Sequence, residues 1–466
     1  MIPQSVATFD TKSFLTGEIQ SLIYRLEQVQ PFALSMPMVA AASVSDAALR
    51  AVTDHLWAQR KDLRQQADAF RRDLNDPSVK TASDAFQARY ATLKMRFNAI
   101  LDQLDIFADV ISQRAEHPTG IWIAGLDILA DDALTLKSKP YTLPPVMCFL
   151  ERGHGAAIRR ARTRLPGGDL SPVAIIQVPR ERMVGSGIAA SLIHEVGHQG
   201  AALLNLVESL REAMKQQTVP PQYQAAWTLL NLWLSEIIAD FWAMVHLGIG
   251  ATLGLMGVVS LPRYFMFRIK GDDPHPAPFI RVCISIAFGE ILFPDPQWQG
   301  LKTLWQCLYP TKELPEKTKQ LLEAFTACLP LFVRLVTQHH NTQTRGQPLQ
   351  QLFYIEKRQP KILRQYFTDW QIKDEHQKAF TRDNIELLST RFAPSLLFAV
   401  IGQARADGRI NAAVESRLLE KILRHWALMR AEDRLIHKPA IPNVCTDKTT
   451  TPTLVSTKTE KLVNHF

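Results

Sequence analysis

Apolar residues recur at three- and four-residue spacing through DAALRAVTDHLWAQRKDLRQQADAFRRDL and again through DAFQARYATLKMRFNAILDQLDIFADVI, so residues 44–115 predict two amphipathic helices. The Asn75-Asp76-Pro77 break between them makes the pair a helical hairpin. Its apolar stripe assigns Trp57, Phe70, Tyr90 and Phe97 to core packing. After His117-Pro118-Thr119-Gly120 the pattern changes. Residues 146–150 (VMCFL) and 173–178 (VAIIQV) are short runs of strand formers bounded by Pro or Gly. Residues 157–165 (AIRRARTRL) alternate basic and apolar positions as a half-exposed strand would. The turn Pro166-Gly167-Gly168-Asp169 then predicts an antiparallel hairpin with VAIIQV. Beyond Pro179 the helical period returns in GIAASLIHEVGHQGAALLNLV. Residues 310–428 read as helices punctuated by Pro315, Pro330, Pro348, Pro360 and Pro394, and residues 439–466, rich in Thr, Lys and Pro, as a flexible tail.

The pattern divides the chain into an N-terminal helical region (1–117), a mixed central domain (118–309), a C-terminal helical domain (310–438) and the tail (439–466). A length of 466 residues supports two or three domains, and 46% hydrophobic with 21% charged residues excludes a disordered chain or a disulfide-stapled scaffold. Cys148, Cys283, Cys307, Cys328 and Cys445 lie far apart without a CxxC pair, which reads as reduced thiols. With no charged-then-apolar leader at the N-terminus, the expected location is the cytoplasm. The net charge of +8 favours acidic partners, nucleic acid or an anionic membrane face, but no Lys/Arg cluster is interleaved with aromatics, so nucleic acid is not an expected partner. Residues 241–261 carry no formal charge and are long enough to span a bilayer. Gly248, Gly250, Gly254 and Gly257 interrupt them, His246 sits inside and Asp240 immediately precedes them. The reading preferred for this stretch is a buried helix that ends and turns into a second packed segment, with the membrane span as its alternative.

The chemistry concentrates in His194-Glu195-Val196-Gly197-His198, an HExxH motif on a predicted helix. Residues four apart share a helix face, so both imidazoles can reach one metal ion, while Glu195 leans over its open side as a base. A second apolar helix carries Glu236 and Asp240, also four apart. Two carboxylates in such surroundings need a reason, since an unpaired buried charge is costly. One could ligate the metal and the other hold a ligand imidazole, or both could face solvent on an amphipathic helix.

HExxH followed by ExxxD on a later helix resembles the gluzincin class of zinc metallopeptidases over roughly residues 145–281. The metzincin pattern fails, because Ala201 and Leu204 stand where it requires Gly and His. The resemblance implies that His194, His198 and Glu236 bind Zn2+, that Glu195 is the general base, and that Asp240 orients His194. The run from Asp273 to Arg281, with His275-Pro276, resembles an element that borders the active site of some zinc peptidases, and implies an oxyanion contact for His275. A Pro-rich surface loop is the alternative there; Tyr264 and His246 are lesser candidates for that contact, His246 fitting a core position better. In zincins an edge strand near the metal pairs with an extended peptide, a role open to VAIIQV or to the basic strand before it. Residues 398–426, with ARADGRI, are similar to tellurite-resistance-type helical domains, although capping and a turn account for Asp407-Gly408. His339-His340 read as surface residues.

Together these readings predict an α+β, mostly helical protein. Its zincin-like core would hold a small antiparallel sheet flanked by N- and C-terminal helical regions. The implied function is zinc-dependent hydrolysis of a peptide or protein substrate, with cobalt or manganese able to occupy the same ligands. The alternatives are a non-enzymatic scaffold on a metallopeptidase-like core and a membrane-embedded zinc peptidase.

Overall fold

The two amphipathic stretches near the start of the chain form the helices Asp46–Asn75 and Ser83–Ser112, as their periodicity predicts. The computed structural model describes residues 10–30, 38–115, 118–151, 156–179, 186–269, 271–372 and 382–436. A further helix, Thr11–Glu27, is capped by the Asp10 carboxylate and lays Leu15, Ile19 and Leu22 against Phe70, Tyr90 and Phe97. Trp57 departs from the expectation. It is 44% exposed and lies under the Arg60 guanidinium, because it stands one residue beyond the stripe position Leu56 and so faces about 100° away from it.

The sheet has three strands, β1 (Val146–Glu151), β2 (Ala157–Arg159) and β3 (Ala174–Pro179), in the order β1-β3-β2. β2 and β3 pair antiparallel, and Gly167 and Gly168 at φ +85° and +99° make the tight turn between them. The expectation of an antiparallel sheet is corrected at β1, which pairs with β3 in parallel, so the sheet is mixed. The chain between these two strands crosses back before β3 begins, which sets both running the same way. Their unbroken apolar runs follow from burial on both faces. Val146, Cys148, Leu150, Ala174, Ile176 and Val178 join the main core, while Met147, Val173 and Ile175 pack on Val52, Leu56 and Phe107 of the N-terminal helices. β2 is shorter than its sequence pattern, because the Ala161 N–H leaves the ladder to bond Gln199 Oε1 at 2.8 Å.

The main core runs without interruption from Ile123 to Trp426 and includes residues of both the 118–309 and the 310–438 regions. Within it, residues 241–259 lie in the helices Leu234–Leu247 and Ile249–Val259, joined by Gly248 at φ 55°, ψ −134°. Of the four glycines expected to interrupt the stretch only Gly248 does, and Gly250, Gly254 and Gly257 lie inside the second helix. Both are largely buried, which matches the reading of a helix that ends and turns into a second packed segment. Among the described residues one helix, Glu316–Gln338, is long and apolar enough to cross a membrane by length and composition, and 44% of its apolar window is buried. Pro330 lies inside that helix rather than ending it. Phe325, Cys328, Leu329, Phe332 and Val333 are buried on both sides of it, and that packing offsets the lost backbone hydrogen bond. Pro315, Pro360 and Pro394 do stand at helix starts. Asp407 closes the helix Pro394–Ala406, with Gly408 at φ +70° behind it, and its carboxylate is bound by Arg364 at 3.1 Å. His339 is buried, not superficial, with Nε2 2.8 Å from Ser209 Oγ, whereas His340 is exposed. The predicted tail lies outside the described residues, as does Cys445.

Candidate metal centre

His194 and His198 sit one turn apart on the helix Ser186–Leu203, and Glu236 and Asp240 one turn apart on Leu234–Leu247. What brings the two pairs together is a pair of glycines. A Cβ at Gly197 would stand 2.7 Å from Trp242 Cβ and 2.9 Å from Ala239 Cα, and one at Gly200 only 2.3 Å from the Trp242 ring. Both distances are below van der Waals contact, so only glycine lets these helices approach so closely. Sequence reasoning gave these glycines no role; their three-residue spacing inside and just beyond the motif was the available signal.

The approach aims three donors at one point. His194 Nε2 lies 3.3 Å from Glu236 Oε2 and His198 Nε2 lies 3.4 Å from Glu236 Oε1. One ligand atom from each of the three residues falls within 4.8 Å of the others. Donors about 2.0–2.1 Å from a shared ion stand about 3.3 Å apart, so His194, His198 and Glu236 are close enough together that they would hold one cation. The remaining ring nitrogens are already engaged. His194 Nδ1 is 2.8 Å from Asp240 Oδ1, and His198 Nδ1 is 3.4 Å from Ser235 Oγ. Asp240 is in turn gripped by Arg281, whose Nε and terminal nitrogen donate to Oδ2 at 2.6 Å and Oδ1 at 2.8 Å. Arg281 stands in the first turn of Pro278–Leu292, just after the Pro-rich segment that sequence reasoning placed at the site's border; its partner was not readable there.

The charges follow from this packing. Burial works against protonation of His194, yet the adjacent Asp240 carboxylate outweighs it and raises the imidazole to about 9. Burial, reinforced by His194, pushes His198 down to about 4. Burial also opposes ionisation of Glu236, but the hydrogen bond from His194 and its charge hold that carboxyl at about 2. Asp240 is likewise held well below the usual carboxylate range against its burial, chiefly by Arg281. Glu195 is different: burial raises it, and it has no close cationic clamp to reverse the effect, so it becomes a stronger base than an exposed glutamate.

The cluster forms the floor of a cleft of about 480 Å³, lined also by Glu195, Ser191, Ala243, Leu255, Ser285, the β2 residues Ala157 and Ile158, and Arg160 just beyond them. His275 stands at its mouth, 57% exposed, with Nε2 3.7 Å from Glu236 Oε2 and Nδ1 3.0 Å from Asp273 Oδ1. The two lesser candidates are elsewhere. Tyr264 is 72% exposed and does not line the cleft, and His246 is buried against Trp242 and Phe353 with Ser395 Oγ at 3.2 Å. Of the two strands considered for substrate pairing, VAIIQV is central and has both edges taken, which leaves β2 as the open edge beside the cleft.

Because Asp240 fixes the ring and tautomer of His194, Asp240→Ala is expected to weaken divalent-metal affinity by roughly tenfold or more, measured by competition with a chromogenic chelator. Unchanged affinity would remove Asp240 from the metal site. Compared with known protein families, curated proteins and solved structures, the chain matches none.

Proposed function

We propose that the chain is a zinc-dependent peptidase. The observation that carries this reading is the convergence of His194, His198 and Glu236 donors beneath a cleft that also holds Glu195. Those three residues would hold the ion, and a bound Zn2+ would supply Lewis-acid polarisation of the scissile carbonyl and acidify water nearby. Glu195 takes a proton from the attacking water and delivers it to the leaving amine, so water is consumed and one carboxyl and one amine are released. Asp240, held by Arg281, engages His194 Nδ1 and leaves Nε2 as the nitrogen that would bind an ion, which would displace the proton Nε2 carries in the metal-free site. His275, braced by Asp273 at the cleft mouth, donates a hydrogen bond to the oxyanion that develops on the substrate. An extended substrate gains backbone hydrogen bonds along the open edge of β2.

The reading is tested on the purified full chain, stripped with a chelator and then titrated with zinc, against a mixed peptide pool followed by mass spectrometry. Hydrolysis should vanish on stripping and return at about one ion per chain, the number one three-ligand site takes. A zinc-loaded protein that cleaves no peptide in the pool would overturn the proposal.

A further inference from the structure

The segment that runs on from the end of β2, beside the cleft, carries an unusual charge. Arg159, Arg160, Arg162 and Arg164 are all exposed, and among the described residues none has a carboxylate within 4.0 Å. Arg160 lines the cleft itself. The segment is not a loose basic loop. The Arg162 N–H donates to Ser171 O, the Ser171 N–H to Thr163 O and the Ala161 N–H to Gln199 Oε1, each at 2.8 Å, so the arginines project from a fixed frame tied to the motif helix. Asp169, in the turn of this frame, is taken up by Gln103 Nε2 at 3.1 Å, Asp273 is bonded to His275, and Glu236 and Asp240 on the cleft floor are held by the histidines and Arg281.

Exposed arginines in a row, held rigidly and left without internal partners, repel one another until an external anion lies among them. We propose that this edge selects acidic peptides, with substrate glutamate or aspartate side chains seated on Arg160 and its neighbours while the peptide backbone runs along β2. The inference rests on the peptidase reading for the identity of its ligand and extends it to a substrate class. A peptide fits better than a nucleic acid because the arginines flank an open strand edge, which pairs with extended backbone, and because AIRRARTRL offers no aromatic ring on which a base could stack. Guanidinium forks match carboxylates in bidentate geometry, so a change of charge on the peptide should matter more than a change of its bulk.

The test uses zinc-loaded Glu195→Gln protein, so that binding is read without turnover, and fluorescence anisotropy with three labelled peptides of equal length that are acidic, neutral or basic around a common centre. A single-stranded oligonucleotide serves as competitor. At low salt the acidic peptide should bind roughly tenfold tighter than the neutral one, and the advantage should shrink as salt shortens the screening length from about 10 Å toward about 3 Å. Adding Arg160→Gln with Arg162→Gln should bring the acidic-to-neutral ratio close to one, whereas Arg160→Lys, which keeps the charge, should retain most of the preference. Equal affinity for all three peptides, a preference that survives the double glutamine change, or displacement of the acidic peptide by a stoichiometric amount of oligonucleotide would each overturn the proposal. The wild-type protein separates the two readings. Acidic-peptide binding with no cleavage of any peptide sinks the peptidase assignment and leaves the acidic preference standing, while cleavage of acidic and neutral peptides at equal kcat/KM sinks the preference alone.

Discussion

On the proposed peptidase reading, Glu195→Gln should retain added zinc and lose peptide hydrolysis by about 10²–10⁴-fold, the range that a positioned general base contributes. The two halves of that expectation come from separate features of the site. Retention of metal follows because Glu195 is not among the converging donors, which are His194, His198 and Glu236. Loss of turnover follows because, among the described residues, no other carboxylate lining the cleft is free to take a proton. Glu236 is spoken for by the two histidines and Asp240 by His194 and Arg281. Burial raises Glu195 above an ordinary glutamate and so makes it a stronger base, and the amide keeps the shape while removing that capacity. Zinc content by elemental analysis and initial rates on the same preparation check both halves. Full activity would discard Glu195 as the base, and loss of the metal would make it a ligand instead.

The largest effect on stability is expected far from the cleft. Asp127→Ala should cost about 3–5 kcal/mol, read from urea unfolding of the metal-free protein. Arg114 and Asp127 are both fully buried and meet in a two-pronged pair, with NH1–Oδ2 at 2.9 Å and NH2–Oδ1 at 3.1 Å. Asp127 Oδ1 also accepts the Cys148 N–H of β1 at 2.8 Å. One carboxylate thus joins the end of the N-terminal hairpin, the helix Thr119–Leu134 and the sheet on which the motif helix rests. Removing it leaves a fully buried guanidinium with the Cys148 carbonyl as its remaining hydrogen-bond acceptor and with Arg430, itself cationic, beside the vacated place. The double change Arg114→Met with Asp127→Leu should therefore cost less than Asp127→Ala alone, since it leaves no orphaned charge. A single-variant loss below about 1 kcal/mol would mean that Arg114 finds water or another partner when Asp127 is gone.

Much of the local structure was legible beforehand. A helix repeats every 3.6 residues whatever surrounds it, so the long hairpin, the motif helix and the Glu236/Asp240 helix could be read from spacing. The same arithmetic put His194 with His198, and Glu236 with Asp240, on common faces. Gly248 announced the break inside residues 241–261 for a similarly local reason, because a positive φ suits glycine. Departures from the sequence reading arise where a neighbour distant in the chain decides. Trp57 looked like core until the stripe was fixed by what packs on it, His339 lost its exposure to Ser209, and Pro330 kept its helix because the flanking apolar residues are buried. The parallel pairing of β1 with β3 was hidden as well, since an apolar run says that both faces are covered but not which way its neighbour runs.

The amino-acid sequence by itself determined which side chains could serve a metal and which helix faces would carry them, because those are properties of residue type and helical period. Only the tertiary structure decided that they meet. Gly197 and Gly200 against Trp242 set the separation of the two helices, and Arg281, arriving from a third helix, makes a buried Asp240 carboxylate tolerable. Close approach and charge compensation are sums over partners far apart in the chain, so no local pattern encodes them.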